Sequence, residues 1–269
     1  MSISTLDGVI AGALPPQDIY KVGTALEAIG LRHSHFYSTG MPGAASAPAD
    51  GMSGAALTSV AGQIPVTNPT GGNYTYLARF EAAVSVACEL FLKDRLWHNS
   101  GITVTTTGAQ TINSVAWPAR DRDGTTNGEN VLVAIEVRTA TTNASAITNT
   151  TMSYTNQSGT SGKTATISSF PATAVAGTFV PFQLAAGDRG IRSIQTITLG
   201  TSYVSGAIHL VAYKVIAVLP SPIPNVGQSV DALSCCFPRL YNNTVPFLVQ
   251  LGSATTATNI SGRVVYTQG

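Results

Sequence analysis

Beyond residue 74 the chain is written in alternation. In "ARFEAAVSVACELFLK" (78–93) the even positions read Ala, Phe, Ala, Val, Val, Cys, Leu, Leu, and the odd ones Arg, Glu, Ala, Ser, Ala, Glu, Phe, Lys. A helix can be drawn through Phe80, Val84, Ala87 and Phe91, but period two fits better and predicts one long strand. Further strands are predicted around "AQTINSVAW", "NVLVAIEVRTA", "TTMSYTN", "KTATISSF", "TFVPFQL", "SIQTITLG", "AIHLVAYKVIAVL", "TVPFLVQLG" and "SGRVVYTQ". Turn signals separate them: Asp123-Gly124, Ser158-Gly159, Gly187-Asp188, Gly200 and Ser205-Gly206. Short, Thr- and Val-rich strands at this spacing predict an all-β fold, an antiparallel β-sandwich of jelly-roll type. An immunoglobulin-like sandwich would carry the same pattern. No repeat of fixed period marks a solenoid or propeller.

Residues 1–72 are different. "GMPGAASAPADGMSGAALTSVAGQIPVTNPTGG" (40–72) has no sustained period, and its composition buries too little apolar area to order itself. One short helix is predicted near 16–29: Pro15 and Pro16 open it, Ile19, Val22, Leu26 and Ile29 share a face, and Gly30 caps it. The expected organisation is an extended N-terminal arm over 1–72 and a β-sandwich body over 73–269. Such an arm orders only by lying on something, its own domain or a neighbour's. Its removal should leave a folded body that no longer docks.

Composition narrows the function. Of the 269 residues only 10% are Asp, Glu, Lys or Arg, against about 25% in typical domains. Soluble monomers normally cover themselves with charge, so so neutral a chain, at net charge +1, is expected to hide surface in an assembly. The same neutrality argues against nucleic acid as a partner. No stretch of about 18 apolar residues predicts a membrane span. The first residues lack a basic segment ahead of their apolar run and do not read as a signal peptide. Three cysteines give no disulfide framework. Cys88 falls on an apolar strand face, Cys235 and Cys236 are neighbours that do not easily bond each other, and a reducing cytoplasm fits.

Candidate chemistry is sparse. "GMSGA" around Ser53 is not a nucleophile elbow, and Cys88 with His98 makes a poor Cys–His pair because the thiol points with the core. His33 and His35 in "RHSHF" supply only half a zinc site. "DRDGTTNGEN" places Asp121, Asp123, Asn127 and Glu129 in one loop, but departs from a calcium loop in register, and Arg120 and Arg122 interleave with the acids. No carboxylate pair and no phosphate-cradling loop stands out. No cofactor or metal is expected, and the chain does not read as an enzyme. That leaves "KDRLWHNSG" (93–101), which puts Lys93, Asp94, Arg95, Trp97, His98, Asn99 and Ser100 within nine positions. It closes a long apolar strand and ends in a turn, with Trp97 suited to anchoring a corner or an interface. It reads as structural. The candidate interface residues are Tyr20, His33, His35, Phe36, Arg95, Trp97 and His98.

Several segments together carry a resemblance: "PPQDIYKVGTALEAIGLRHSHFY", "GMPGAASAPADGMSGAALTS", "DRLWHNSGI", "YNNTVPF" and "SGRVVYTQG". With them the chain resembles, over nearly its whole length, a family of virion structural proteins of tailed bacteriophages and prophages. The resemblance implies a non-enzymatic component of the particle, assembled in the bacterial host cytoplasm. It is similar to capsid decoration (cement) proteins, which commonly trimerise over gaps between capsomers, and so implies the major capsid protein or other virion proteins as partners. It carries over no functional residues. A tail, collar or baseplate connector and a glycan-binding attachment module are the alternative expectations.

Overall fold

The computed structural model describes residues 3–269. One helix, α1 (Leu6–Ala11), precedes all the strands. Thr5 caps it, its hydroxyl accepting from the amide of Gly8 at 3.1 Å, and none of its residues is buried. The N-terminal region then gives β1 (Gln17–Lys21), β2 (Arg32–Ser34), β3 (Gly40–Met41) and β4 (Ala55–Ala56). The long strands follow: β5 (Thr75–Val84), β6 (Cys88–His98), β7 (Gln110–Thr111), β8 (Leu132–Thr139), β9 (Ile147–Asn156) and β10 (Lys163–Phe170). The last are β11 (Phe179–Pro181), β12 (Ile191–Thr198), β13 (Ala207–Ser221), β14 (Gln228–Asp231), β15 (Arg239–Leu240), β16 (Pro246–Gly252) and β17 (Ile260–Gln268).

The expected antiparallel β-sandwich is the observed architecture, built from three sheets. A central sheet runs β11-β8-β13-β6-β16-β2, with β4 on the end of β6. A second runs β14-β5-β17-β1-β3 with β15 beside β5, and a third runs β10-β9-β12-β7. Every pairing among the described residues is antiparallel.

The spine is the β6/β13 ladder. Ala212 pairs with Trp97 and Tyr213 with Arg95, which leaves Leu96 over; Val215 pairs with Lys93 and Ala217 with Leu92, which leaves Ile216 over. Such bulges bend and twist a strand pair. Around them one face of the central sheet is shared between two partners. At one end Trp97, Val133, Ile135, Ile208 and Leu210 meet Met152, Tyr154, Ile167, Ile194 and Ile197 of the third sheet. At the other end Leu90, Leu92, Ala217 and Leu219 meet Leu77, Phe80, Val84, Ile260 and Val264 of the second. The opposite face presents Val211, Tyr213, Phe247 and Val249, and the N-terminal region covers it with Phe36, Ala45 and Val60.

Three sequence expectations change here. The helix near 16–29 is absent. Residues 17–21 are a strand in which Ile19 and Lys21 are buried and Asp18 and Tyr20 are exposed, and β17 and β3 take up its backbone groups. Ile19 and Leu26 are buried whereas Ile29 is 67% exposed, so the proposed helical face does not exist as one surface. The single long strand over 78–93 is two, broken at 85–87 where the chain leaves the second sheet for the central one. Val84 before the break and Cys88 after it are both even and both buried, which is why the alternation reads straight through.

Residue 72 is also no boundary. The N-terminal region lies on its own chain: β1 pairs with β17, β2 with β16 and β4 with β6. Between these strands the amides of His35, Leu57 and Ile64 donate to Leu248, Leu96 and Pro246 at 2.8–2.9 Å. Deleting 1–72 therefore uncovers one face of the central sheet, so a well-folded remainder is not expected.

Candidate functional site

The polar stretch 93–101 forms the second half of β6, in the middle of the central sheet between β13 and β16. Successive side chains of a strand point to opposite faces, so Asp94 and Arg95 serve different layers. Both belong to buried ion pairs. Arg95 makes a bidentate pair with Glu136 of β8, Nη1 to Oε1 at 3.1 Å and Nη2 to Oε2 at 2.6 Å, with neither side chain exposed. Its guanidinium lies 4.1 Å from the ring centre of Phe36 and 5.5 Å from that of Phe247. Burial opposes the charge on each partner, and the pairing more than offsets it. The Glu136 carboxyl is held below the ordinary carboxylate range, and the Arg95 guanidinium is raised.

Arg95 Nε donates to His98 Nδ1 at 3.1 Å, which leaves the His98 ring proton on Nε2, 3.1 Å from the carboxylate of Asp50. Burial first, then the neighbouring Arg95, pushes His98 down to about 3. The ring is a neutral bridge between β6 and residue 50.

The second pair lies on the other face. Arg120 grips Asp94 through Nε at 2.9 Å and Nη2 at 3.1 Å, and also donates to the carbonyls of Leu57 and Arg95 at 2.7 and 3.1 Å. Asp94 accepts in addition from the amide of Val245 at 2.8 Å. Trp97 Nε1 donates to the carbonyl of Ser53 at 3.0 Å, Asn99 Nδ2 to that of Met52 at 3.1 Å, and Ser100 Oγ accepts from the amide of Gly51 at 2.8 Å. Gly54, at φ +66°, fits because a Cβ there would stand 2.5 Å from the Trp97 ring. Asp94, Trp97, His98, Asn99 and Ser100 are thus spent on holding residues 50–57 and two loops to the central sheet, with Arg95 fixing the His98 ring.

Of the seven candidate interface residues, only Tyr20 keeps an exposed side chain, at 45%. His33, His35, Phe36, Arg95, Trp97 and His98 are all buried within the chain, so they form no surface for a partner. Phe36, Arg95 and His98 come together. Trp97 turns to the other face beside Trp117, with ring centres 6.4 Å apart. His33 and His35 stand edge to face at 5.4 Å, and burial lowers them to about 4 and about 3. His35 bonds Ser38 and Gln250 through its two ring nitrogens, and His33 Nε2 bonds Thr24. Sequence reasoning missed Glu136, Asp50 and Arg120. The one signal was a lone glutamate inside the apolar run "VAIEV".

Asp121, the candidate calcium ligand, accepts from the amides of Asp123, Thr125, Gly128 and Glu129 and from the Thr125 hydroxyl, all at 2.7–3.2 Å. Its lone pairs are committed to the loop itself. Among the described residues no group of three or more His, Cys, Asp or Glu is placed to hold a metal ion. Cys88 and His98 stand at opposite ends of β6, about 33 Å apart at the usual strand rise, and burial pushes the thiol up to about 12. No described helix is long and apolar enough to cross a membrane.

No protein-family model matches the chain, and no curated protein does. Among solved structures it is similar to the infectious bursal disease virus VP2 subviral particle, at 8% identity and a TM-score of 0.21, over 95% of this chain and 81% of that one. The structure of the same virus's Gx strain follows at 11% identity and a TM-score of 0.17, over 76% of this chain and 45% of that one. Both scores are too low to carry an argument about fold or role.

Proposed function

We propose that the chain is a non-enzymatic structural protein of a virus particle, and specifically a capsid decoration protein of a tailed phage that binds across capsomer junctions as a homo-oligomer, with three copies favoured. The observation that carries this reading is how polarity is distributed. The side chains that look most reactive in the sequence are consumed as internal braces, while large apolar side chains are left outside. Leu6 and Ile10 on α1 are 66% and 67% exposed, and Ile223 and Leu233 in the segment around β14 are 55% and 86% exposed. Apolar side chains outside and ion pairs inside suit a subunit whose surface is completed by neighbours. The partners in this reading are the major capsid protein and further copies of the chain, on a particle assembled in the host cytoplasm.

The test is immunogold labelling of purified particles with an antibody to the protein. Gold spread over the head is the expected result. Gold confined to the neck or tail would replace decoration with the connector role, and absence from particles would overturn the virion reading.

A further inference from the structure

We infer that the open edge of β13, beside Arg122, Arg189, Lys214 and Arg239, is a docking site for an extended acidic segment of a partner protein, laid down as an added strand with a carboxylate in the neighbouring pocket. This goes beyond the proposed particle location.

The edge follows from two ladders of unequal length. β8 accompanies β13 only from Ala207 to Tyr213, whereas β6 accompanies it from Val211 to Ser221. Past Tyr213, no described strand pairs with β13 on the β8 side. The chain before β8 turns off toward the third sheet, where the amide of Ile191 donates to the carbonyl of Val131 at 2.9 Å. Val215 to Leu219 thus present backbone groups with no ladder partner on that side, and Val215 is 41% exposed in mid-strand. An unpaired strand edge is a template for strand addition.

The charge around it selects the occupant. A pocket of about 380 Å³ opens beside Lys214–Ile216, with the four cations on its walls. The carboxylates at its mouth are accounted for. Asp123 pairs with Arg122 at 2.9 Å, and Glu129 lies 3.4 Å from Arg122 and 3.2 Å from Arg189. Lys214 instead donates to the carbonyl of Asp121 at 3.1 Å, and Arg239 lies against the rings of Tyr74 and Tyr241 at 3.6 and 4.7 Å. Among the described residues neither has a carboxylate at ion-pair distance. Leu132, Val215, Ile216 and Pro238 supply apolar wall between the charges. An extended segment alternating acidic and apolar side chains answers all three features, because successive side chains fall on opposite faces.

The test uses the full chain and a fluorescent peptide of alternating glutamate and valine, its glutamine counterpart, and inorganic phosphate. The glutamate peptide is expected to bind, and to slow amide exchange at 215–219. The glutamine peptide and the Arg189→Gln, Arg239→Gln double variant are each expected to bind about tenfold more weakly or worse. Both arginines have side chains reaching solvent, so the variant should melt like the parent. Absence of binding, or binding indifferent to the double substitution, overturns the site. Full displacement by phosphate at the same concentration as the peptide, with no protection at 215–219, would mean a free-anion pocket and overturn strand docking. These readouts use the isolated chain, so their failure is separate from that of particle labelling.

Discussion

The two faces of the central sheet solve the same packing problem with different chemistry. Toward the second and third sheets it is aliphatic and aromatic apart from the buried Asp94–Arg120 pair: Leu90, Leu92, Leu219, Ile208 and Leu210 meet strands whose inward side chains are of the same kind. Beneath the N-terminal region it carries Arg95, Glu136, His98 and Lys93 among Phe36, Phe179, Tyr213 and Phe247. There Lys93 has its ammonium 4.1–5.3 Å from the centres of three rings, and burial lowers its pKa well below the ordinary lysine value. The difference follows from what each face must bind. Sheets bring regular, alternating apolar surfaces. A Gly/Ala/Pro-rich segment does not, so it is fixed by directional contacts: Arg95 and His98 act on this face, while Trp97 and Arg120 on the other face, and Asn99 just past β6, hold the carbonyls of Ser53, Leu57 and Met52. Buried ion pairs contribute specificity at the cost of desolvation, and here they set where an otherwise featureless segment lies.

The largest expected effect comes from breaking a pair on the polar face. Glu136→Gln leaves the Arg95 charge buried without its neutralising partner, which should cost about 3–5 kcal/mol and lower the melting temperature by about 10 °C. Replacing both partners, with Arg95→Met and Glu136→Leu, should recover much of that loss in thermal melts. If it does not, the polar face is more than a positional device. Phe36→Ala comes next, at about 3 kcal/mol, with limited proteolysis cutting first between residues 37 and 70.

Acid should act through the buried histidines. His33, His35 and His98 have folded values of about 4, about 3 and about 3 against 6.5 in the unfolded chain. Because folding lowers these values, the unfolded state binds more protons below pH 6.5. Their stabilisation is therefore complete above that pH and is lost as pH falls from 6.5 toward 4. Urea melts near pH 5.5 should show a loss of about 1 kcal/mol per histidine, and His35→Gln with His98→Gln should flatten the slope. An unchanged slope would refute the assignment of neutral buried rings. The smallest effect belongs to Asp50→Asn: its carboxylate is 35% exposed, so losing it should cost about 0.5 kcal/mol.

Regular strands were legible because alternation is local. β8, β9, β10, β12, β16 and β17 each lie within or near a segment where period two is visible. The N-terminal strands were not, since β1 to β4 are only two to five residues long, too short for a period to establish itself among glycines, alanines and prolines. Ile19, Val22, Leu26 and Ile29 fit a helical period by chance, and pairing with β17 overrode it. For the polar cluster, "KDRLWHNSG" announced itself as unusual and its scaffold role was readable. Its partners were not, because Glu136 is 41 residues from Arg95 and Arg120 is 26 from Asp94, distances at which only the fold brings side chains together.

The central claim is that the N-terminal region is an integral layer of the fold, clamped to the central sheet by buried polar contacts. Amide hydrogen exchange on the intact protein tests it most directly. The amides of His35, Leu57 and Ile64 should exchange as slowly as those of β6 and β13, since their bonds open only when the central sheet does. Exchange of those three within seconds, with β6 and β13 still protected, would contradict the account and restore a separable arm.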